Sequence, residues 1–213
     1  MSSKWERWAT LSGVLAVVFW ILGVILISSK AEGDKGPEAL ASYHQHSDGI
    51  LAGGLLWSIG VVLFIRFLAS RRSHYLASEG EPGRLSALAF GGGIAASVIA
   101  MLIPVADEVG ALNKDDIDAS GAAVLHHFSD AFFVATEYML PVFFFSSAIL
   151  ALRHGALPKW LGWFSSLIGI VLLIGPIGWA ALIFATPIWV LVVSIWLYSR
   201  TQARAPEPNS ATA

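Results

Sequence analysis

The chain has 213 residues, of which 56% are apolar and 13% are charged, and it contains 12 Phe, 9 Trp and no Cys. Soluble globular proteins carry roughly 25% charged residues, so this composition excludes an ordinary soluble enzyme and a disordered chain. With a formal net charge of −2, the chain does not offer the basic surface that nucleic-acid binding requires. The absence of Cys excludes disulfides, thiolate zinc sites and iron–sulfur clusters. These features together predict an integral membrane protein.

Apolar runs predict six transmembrane helices, because a helix needs about 20 predominantly apolar residues to cross the hydrocarbon core. The last run, Trp160 to Ser199, carries no charge and is long enough for two helices, with a turn at residues 175–178 where two Gly flank Pro-Ile. The predicted helices cover residues 8–29, 48–70, 85–107, 121–152, 158–175 and 178–200, approximately. We therefore expect an all-α, compact six-helix bundle as one domain over residues 1–201, followed by a disordered cytoplasmic tail at 202–213.

The distribution of Lys and Arg predicts the orientation of the chain in the membrane. With the N-terminus in the cytoplasm, the outer loops receive only Lys30, Lys35 and Lys114, while the remaining Lys and Arg residues fall on the cytoplasmic side. Cytoplasmic loops normally hold the excess of basic residues. We therefore expect both termini in the cytoplasm and an even number of spans.

A short amphipathic helix is predicted on the outer surface, before the second span. Pro37 is followed by Glu38, which is a typical helix start, and Ser47 with Asp48 can then cap the second span. This arrangement would bring His44 and His46 to the outer mouth of the bundle. In the third span, the run of Gly at residues 91–93 predicts close packing against a neighbouring helix.

Polar side chains that could bind a ligand or a proton concentrate at the outer ends of the third and fourth spans. His126, Asp130 and Glu137 are spaced so that they point within about 40° of one another on a helix. Glu137 lies about 16 Å along the axis from His126, so we expect it to face the bundle interior, either paired or protonated. The candidates for ligand or proton binding are Glu137, Asp130, His126, Asp107 and Glu108.

Three interpretations of these residues are open. In the first, a divalent metal such as zinc binds between His and carboxylate ligands and activates water; the metal candidates are His44, His46, His126, His127 and Asp130. In the second, Glu137 and Asp130 titrate along a proton or solute pathway. In the third, His126 and Asp130 form a local pair and Glu137 bonds within the core. Haem is disfavoured, because these four His lie on the outer side and no second His occurs at membrane depth.

Two segments resemble an uncharacterised bacterial family of six-helix membrane proteins, catalogued only as a domain of unknown function. The first segment runs from Ala41 to His44, continues through residues 49–56 and ends in Phe67-Leu68-Ala69; the second is Leu157-Pro158-Lys159-Trp160-Leu161-Gly162-Trp163. The resemblance implies the six-helix fold and a location in the bacterial inner (plasma) membrane. It implies no activity and no catalytic residue.

The sequence thus predicts a multi-pass bacterial plasma-membrane protein with an outward-facing polar cavity lined from the second, third and fourth helices. We expect this cavity to bind a small ligand, a lipid headgroup or an ion. In one form of this function, binding is coupled to a proton through Glu137. The first alternative is an outward-facing, metal-dependent membrane hydrolase. The second is an accessory subunit that docks onto a larger membrane complex. The expected partners are the lipid bilayer, a small molecule or ion and a membrane subunit, without nucleic acid.

Overall fold

The computed structural model describes residues 3–28 and 36–203, with the side chains of residues 11–27 and 36–200. The helices are α1 (Ser3–Ser28), α2 (Gly36–Glu79), α3 (Arg84–Leu112), α4 (Ala119–His154), α5 (Lys159–Leu172), α6 (Gly175–Ala180), a π-helical segment (Ala181–Ala185) and α7 (Thr186–Ala203). Within these ranges the chain has no strand. Because α6, the π-helical segment and α7 are continuous, six helical rods form an all-α bundle. Most of the predicted tail, from residue 204, lies outside the described residues.

Four of these rods are long and apolar enough to cross a membrane: α2, α3, α4 and the continuous helix Gly175–Arg200. The apolar stretch Leu11–Ile27 of α1 and helix α5 are shorter. Large apolar side chains on the sides of the bundle are at least half exposed; they include Ile21, Leu55, Val62, Val98, Leu167 and Ile195. An exposed apolar surface of this extent is typical of a protein embedded in a membrane.

Helix α2 is longer than the predicted second span, and it includes the predicted short helix as its first part. The two parts meet at a kink at His46, which has φ −131° and ψ 17°. The part before the kink packs Ala39 and Tyr43 against Ala111 of α3 and Ala122 of α4. It therefore covers one end of the bundle and brings polar groups of α2 to the ends of α3 and α4.

Aromatic side chains form the core where α2, α4 and α7 meet. Trp189 is fully buried, and its ring lies nearly perpendicular to Phe143 and Phe144, at centroid distances of 5.2 and 5.4 Å. The indole N–H of Trp189 donates a hydrogen bond of 2.8 Å to Ser165 Oγ on α5. Burial of such large rings supplies much of the stability of a helical core, and here it holds the last three rods against α2.

Side chains cap the helix ends next to the loops. Asp118 accepts a hydrogen bond of 2.8 Å from the N–H of Gly121 at the start of α4. At the opposite end of the bundle, Glu79 accepts hydrogen bonds from the backbone N–H groups of Leu85 and Ser86, both of 2.8 Å, and from the Ser86 hydroxyl, of 2.6 Å. The end of α2 therefore caps the first turn of α3.

Candidate functional site

A buried carboxylate joins three helical segments at one end of the bundle. Asp107 Oδ1 accepts a hydrogen bond of 2.9 Å from the hydroxyl of Tyr43, in the part of α2 before the kink. The same oxygen lies 3.3 Å from Nδ1 of His126 on α4. Asp107 is only 3% exposed, and a buried carboxylate is costly unless polar partners surround it. We call Tyr43, Asp107 and His126 the Asp107 junction, because this carboxylate holds α2 and α4 to α3.

A glycine makes the Tyr43 contact with Asp107 possible. Gly110 follows Asp107 by three residues on α3, and a methyl group on it would overlap the Tyr43 ring. The absence of a side chain at this position therefore lets the phenol lie flat against α3. Asp107 and His126 are candidates predicted from the sequence, whereas Tyr43 is not; the only sequence signal for Tyr43 is its place on the apolar face of the short helix.

Glu108 contacts the part of α2 after the kink, whereas its neighbour Asp107 contacts the part before the kink and α4. The Glu108 carboxyl group packs against Gly54 of α2, where a methyl group would overlap it. The side chain is half-buried, and the described part of the chain gives it no hydrogen bond or ion pair. Trp57, three residues beyond Gly54, donates a hydrogen bond of 2.7 Å to the carbonyl oxygen of Ala100. Glu108 thus lies beside the contact between α2 and α3 with its carboxylate oxygens available.

The other predicted residues at this end are spread over the surface. His44 Nδ1 lies 3.7 Å from Asp115, and both side chains are exposed. His46 occupies the kink of α2, whereas His127 and Asp130 are exposed on α4. The part of the chain that the structure describes contains no group of three His, Asp or Glu side chains placed to hold a metal ion. The metal candidates are therefore not brought together around one point.

Glu137 and Asp130 share a face of α4 but have different surroundings. Glu137 is 3% exposed, and its carboxylate lies beside Gly178 of α6, where a methyl group would crowd it. Asp130 lies seven residues, about 10 Å, closer to the start of α4, and its side chain is exposed. The face is thus covered by α6 at Glu137 and uncovered at Asp130. The three residues of the predicted stripe therefore have different surroundings. His126 lies in the Asp107 junction, Asp130 lies on the surface, and Glu137 lies in the contact with α6.

An apolar cavity of about 560 Å³ lies inside the bundle. Its lining comes from α1, α2, α3, α4 and the last rod, and it includes Trp20, Ile27, Trp57, Ala100, Ile103 and Phe133. Part of its wall is the π-helical segment, where the hydroxyl of Thr186 donates a hydrogen bond of 3.0 Å to the carbonyl oxygen of Ala181. Such segments occur mostly as single turns inside α-helices, frequently at functional sites.

The cavity opens at the side of the bundle. Ile21 and Ile25 of α1 line it, and so do Phe184 and Ile188 of the last rod. These four side chains are 50–58% exposed, whereas the lining residues of α2, α3 and α4 are buried or half-buried. The opening therefore lies between α1 and the last rod, on the apolar sides of the protein.

The Asp107 junction lies just beyond one end of this cavity. On α3, Ile103 lines the cavity, and Asp107 follows it by four residues, on the same face and about 6 Å further along the axis. On α4, His126 precedes the lining residue Phe133 by seven residues, about 10 Å, again on the same face. Polar groups therefore lie at one end of a cavity whose own lining is apolar.

None of the protein-family models, curated proteins or solved structures compared with the chain matches it. The resemblance to the bacterial six-helix family therefore stays a prediction from the two sequence segments.

Proposed function

We propose that the chain is a six-span protein of a bacterial plasma membrane whose cavity binds the apolar chain of an amphipathic, lipid-like molecule. The head of this ligand would lie at the end of the cavity nearest the Asp107 junction. The observation that carries the proposal is the apolar cavity of about 560 Å³ that opens on the side of the bundle.

The charges at the two ends of the bundle support the orientation with cytoplasmic termini. Basic side chains lie near the ends of α2, α4, α5 and α7 that are remote from the Asp107 junction; they are Arg72, Arg153, Lys159 and Arg200. The loop between α3 and α4, beside the junction, instead carries Asp115, Asp116 and Asp118. Because basic residues favour the cytoplasmic side, this distribution supports an outward-facing junction.

The size and the lining of the cavity support an apolar ligand. Ligand pockets commonly have volumes of about 300–1,000 Å³, and this cavity falls within that range. Three hydroxyl groups occur in its lining, on Ser97, Thr136 and Thr186. Each of them already donates to a carbonyl oxygen of its own helix, at 2.7–3.0 Å. The cavity thus offers few free polar groups to an ion or a small polar solute, and it suits a hydrocarbon chain.

The side opening supports entry from the bilayer. Ile21 and Ile188 flank the opening and expose apolar surface, so a lipid chain could move into the cavity without crossing water. The metal-dependent hydrolase has no comparable support, because the described residues contain no convergent ligand set.

The proposal is tested by identifying what the purified protein carries. Protein extracted in a mild detergent should retain a roughly equimolar amphiphile, detected by mass spectrometry of the intact complex and of its organic extract. Ala100→Phe places a ring in the cavity and should displace this molecule. Ala87→Phe makes the same change at an exposed position of α3 and should leave it bound.

Two results would contradict the proposal. The first is a preparation that carries no amphiphile and binds none when lipid is added back. The second is equal retention by the Ala100→Phe and Ala87→Phe variants. Stoichiometric recovery of another membrane protein together with an empty cavity would favour the accessory-subunit alternative instead.

A further inference from the structure

We infer that the ligand of the cavity carries a cationic head with hydrogen-bond donors, such as an amine, and that Glu108 receives it. This inference rests on the proposed function, because it assigns the chemistry of the head to a ligand whose chain occupies the cavity. A wrong head assignment and a wrong proposed function give different results in the same titration.

Glu108 lies close to the outer end of the cavity, and no described residue donates a hydrogen bond to its carboxylate oxygens. Its carboxyl packs against Gly54, which precedes the lining residue Trp57 by three residues, about 5 Å along α2. Ile27, another lining residue, packs against Gly53, the residue before Gly54, so the contact of Glu108 with α2 lies next to the outer end of the cavity. A head attached to a chain in the cavity would therefore emerge beside this carboxylate.

Asp107 is less suited to receive the head, although it is the neighbouring residue. Its Oδ1 atom is already engaged by the Tyr43 hydroxyl and by His126, and its side chain is buried within the junction. Glu108, by contrast, is half-buried and has no hydrogen bond or ion pair to any described residue. A donor on the ligand would satisfy this carboxylate with a charge-assisted hydrogen bond.

The surrounding charges disfavour an anionic head. The acidic residues described at this end of the bundle are Glu38, Asp48, Asp107, Glu108, Asp115, Asp116, Asp118 and Asp130. Among the described residues at this end, Lys114 is the single Lys or Arg, and its ammonium group donates to Ser47 Oγ at 3.1 Å. Four His side chains accompany it, at positions 44, 46, 126 and 127. A phosphate head would meet an excess of negative charge, whereas an amine head would be attracted.

The test compares amphiphiles that share a chain and differ in their heads. The protein is reconstituted in nanodiscs of phosphatidylcholine and titrated with dodecylamine, dodecyl phosphate or dodecyl maltoside, each brominated near the end of the chain. Bromine quenches Trp fluorescence at short range, and Trp20 and Trp57 line the cavity. Cavity binding is read as the part of the quenching that Ala100→Phe removes, because exposed Trp residues such as Trp160 are quenched from the bilayer in both chains. For the wild-type chain we expect the amine to bind at least about fivefold more tightly than the phosphate.

Variants assign this preference to one carboxylate. Glu108→Gln keeps the shape of the side chain and should reduce the preference for the amine to less than about twofold. Glu108→Asp keeps the charge and should retain part of the preference for the amine. A retained preference would show that the loss in Glu108→Gln does not come from misfolding. Asp130→Asn removes an exposed, solvent-screened negative charge at the same end of the bundle and should reduce the preference clearly less than Glu108→Gln does.

The outcomes separate this inference from the proposed function. If Ala100→Phe removes the cavity part of the quenching for all three probes and the amine shows no preference, the assignment of the head alone is overturned. A preference that persists in Glu108→Gln, or tighter binding of the phosphate or the maltoside, would overturn it as well. Quenching that Ala100→Phe leaves unchanged, or no quenching by any probe, would overturn the proposed function together with the assignment of the head.

Discussion

Tyr43 and Asp107 are separated by 64 positions in the chain, and a hydrogen bond of 2.9 Å joins the phenol of one to the carboxylate of the other. Both side chains are buried, so water cannot replace either partner without a change in packing. The bond fastens the part of α2 before the kink to the end of α3, and it thereby fixes the polar end of the cavity.

Replacing Tyr43 by Phe should destabilise the protein measurably. The change keeps the ring and removes the donor, so the buried Asp107 carboxylate loses one of its partners. We expect the free energy of unfolding to fall by about 1–3 kcal/mol, measured by reversible unfolding in mixed micelles. The control is Tyr138→Phe, because Tyr138 is 54% exposed; its effect should stay within about 0.5 kcal/mol. Equal effects of the two substitutions would contradict a structural role of this bond.

Adding a methyl group at Gly110 should be costly, whereas the same change at Gly91 should not. A methyl group on Gly110 overlaps the Tyr43 ring, while nothing lies near a methyl group on Gly91 of the same helix. We expect Gly110→Ala to cost about 1–3 kcal/mol and Gly91→Ala to be neutral or stabilising by up to about 1 kcal/mol.

A double-mutant cycle tests whether the cost of Gly110→Ala comes from the overlap with the Tyr43 ring. In a Tyr43→Ala background the ring is absent, so Gly110→Ala should cost clearly less than it does in the wild-type chain. An undiminished cost would show that the methyl group acts on the helix backbone and not on Tyr43.

The apolar runs were sufficient to predict the rods of the bundle, because burial in hydrocarbon requires long uncharged stretches. They underestimated α2, which continues to Glu79 through residues such as Arg72 and His74. Hydropathy reports only the part of a helix that lies in hydrocarbon, while helical hydrogen bonding continues into polar sequence. In the run of Gly at residues 91–93, Gly92 meets Val142 and Gly93 meets Leu68, as expected, whereas nothing described lies close to Gly91.

The partners of the polar residues could not be read from local spacing. The interval between His126 and Asp130 suggests a pair within α4, yet the ring of His126 lies beside Asp107 of α3. The rotation of α4 about its axis decides between the two, and that rotation depends on the packing of the entire bundle. The cavity is hidden for the same reason, since its lining residues look like ordinary core positions in the sequence. Only the three-dimensional packing shows the space that these side chains leave between them.

Glu79 should stabilise the end of the bundle remote from the Asp107 junction through its hydrogen bonds to the start of α3. Glu79→Gln weakens the acceptors for the N–H groups of Leu85 and Ser86, so we expect a loss of about 0.5–2 kcal/mol in the free energy of unfolding. Glu81→Gln removes an exposed charge two residues later in the same loop and serves as the control. If the two variants lose the same stability, the effect comes from loop charge and not from the cap.

The proposed orientation predicts which loops a reagent outside the cell can reach. Because the chain has no Cys, the variants Asp116→Cys and Glu81→Cys each carry a single thiol, at exposed positions in the loops at opposite ends of the bundle. In intact spheroplasts, a membrane-impermeant maleimide should label the thiol at position 116 and leave that at position 81 unmodified; both should react after permeabilisation. Labelling at position 81 alone would indicate the opposite orientation and would place the Asp107 junction on the cytoplasmic face. Labelling at both positions before permeabilisation would contradict a bundle that separates these two loops across a membrane.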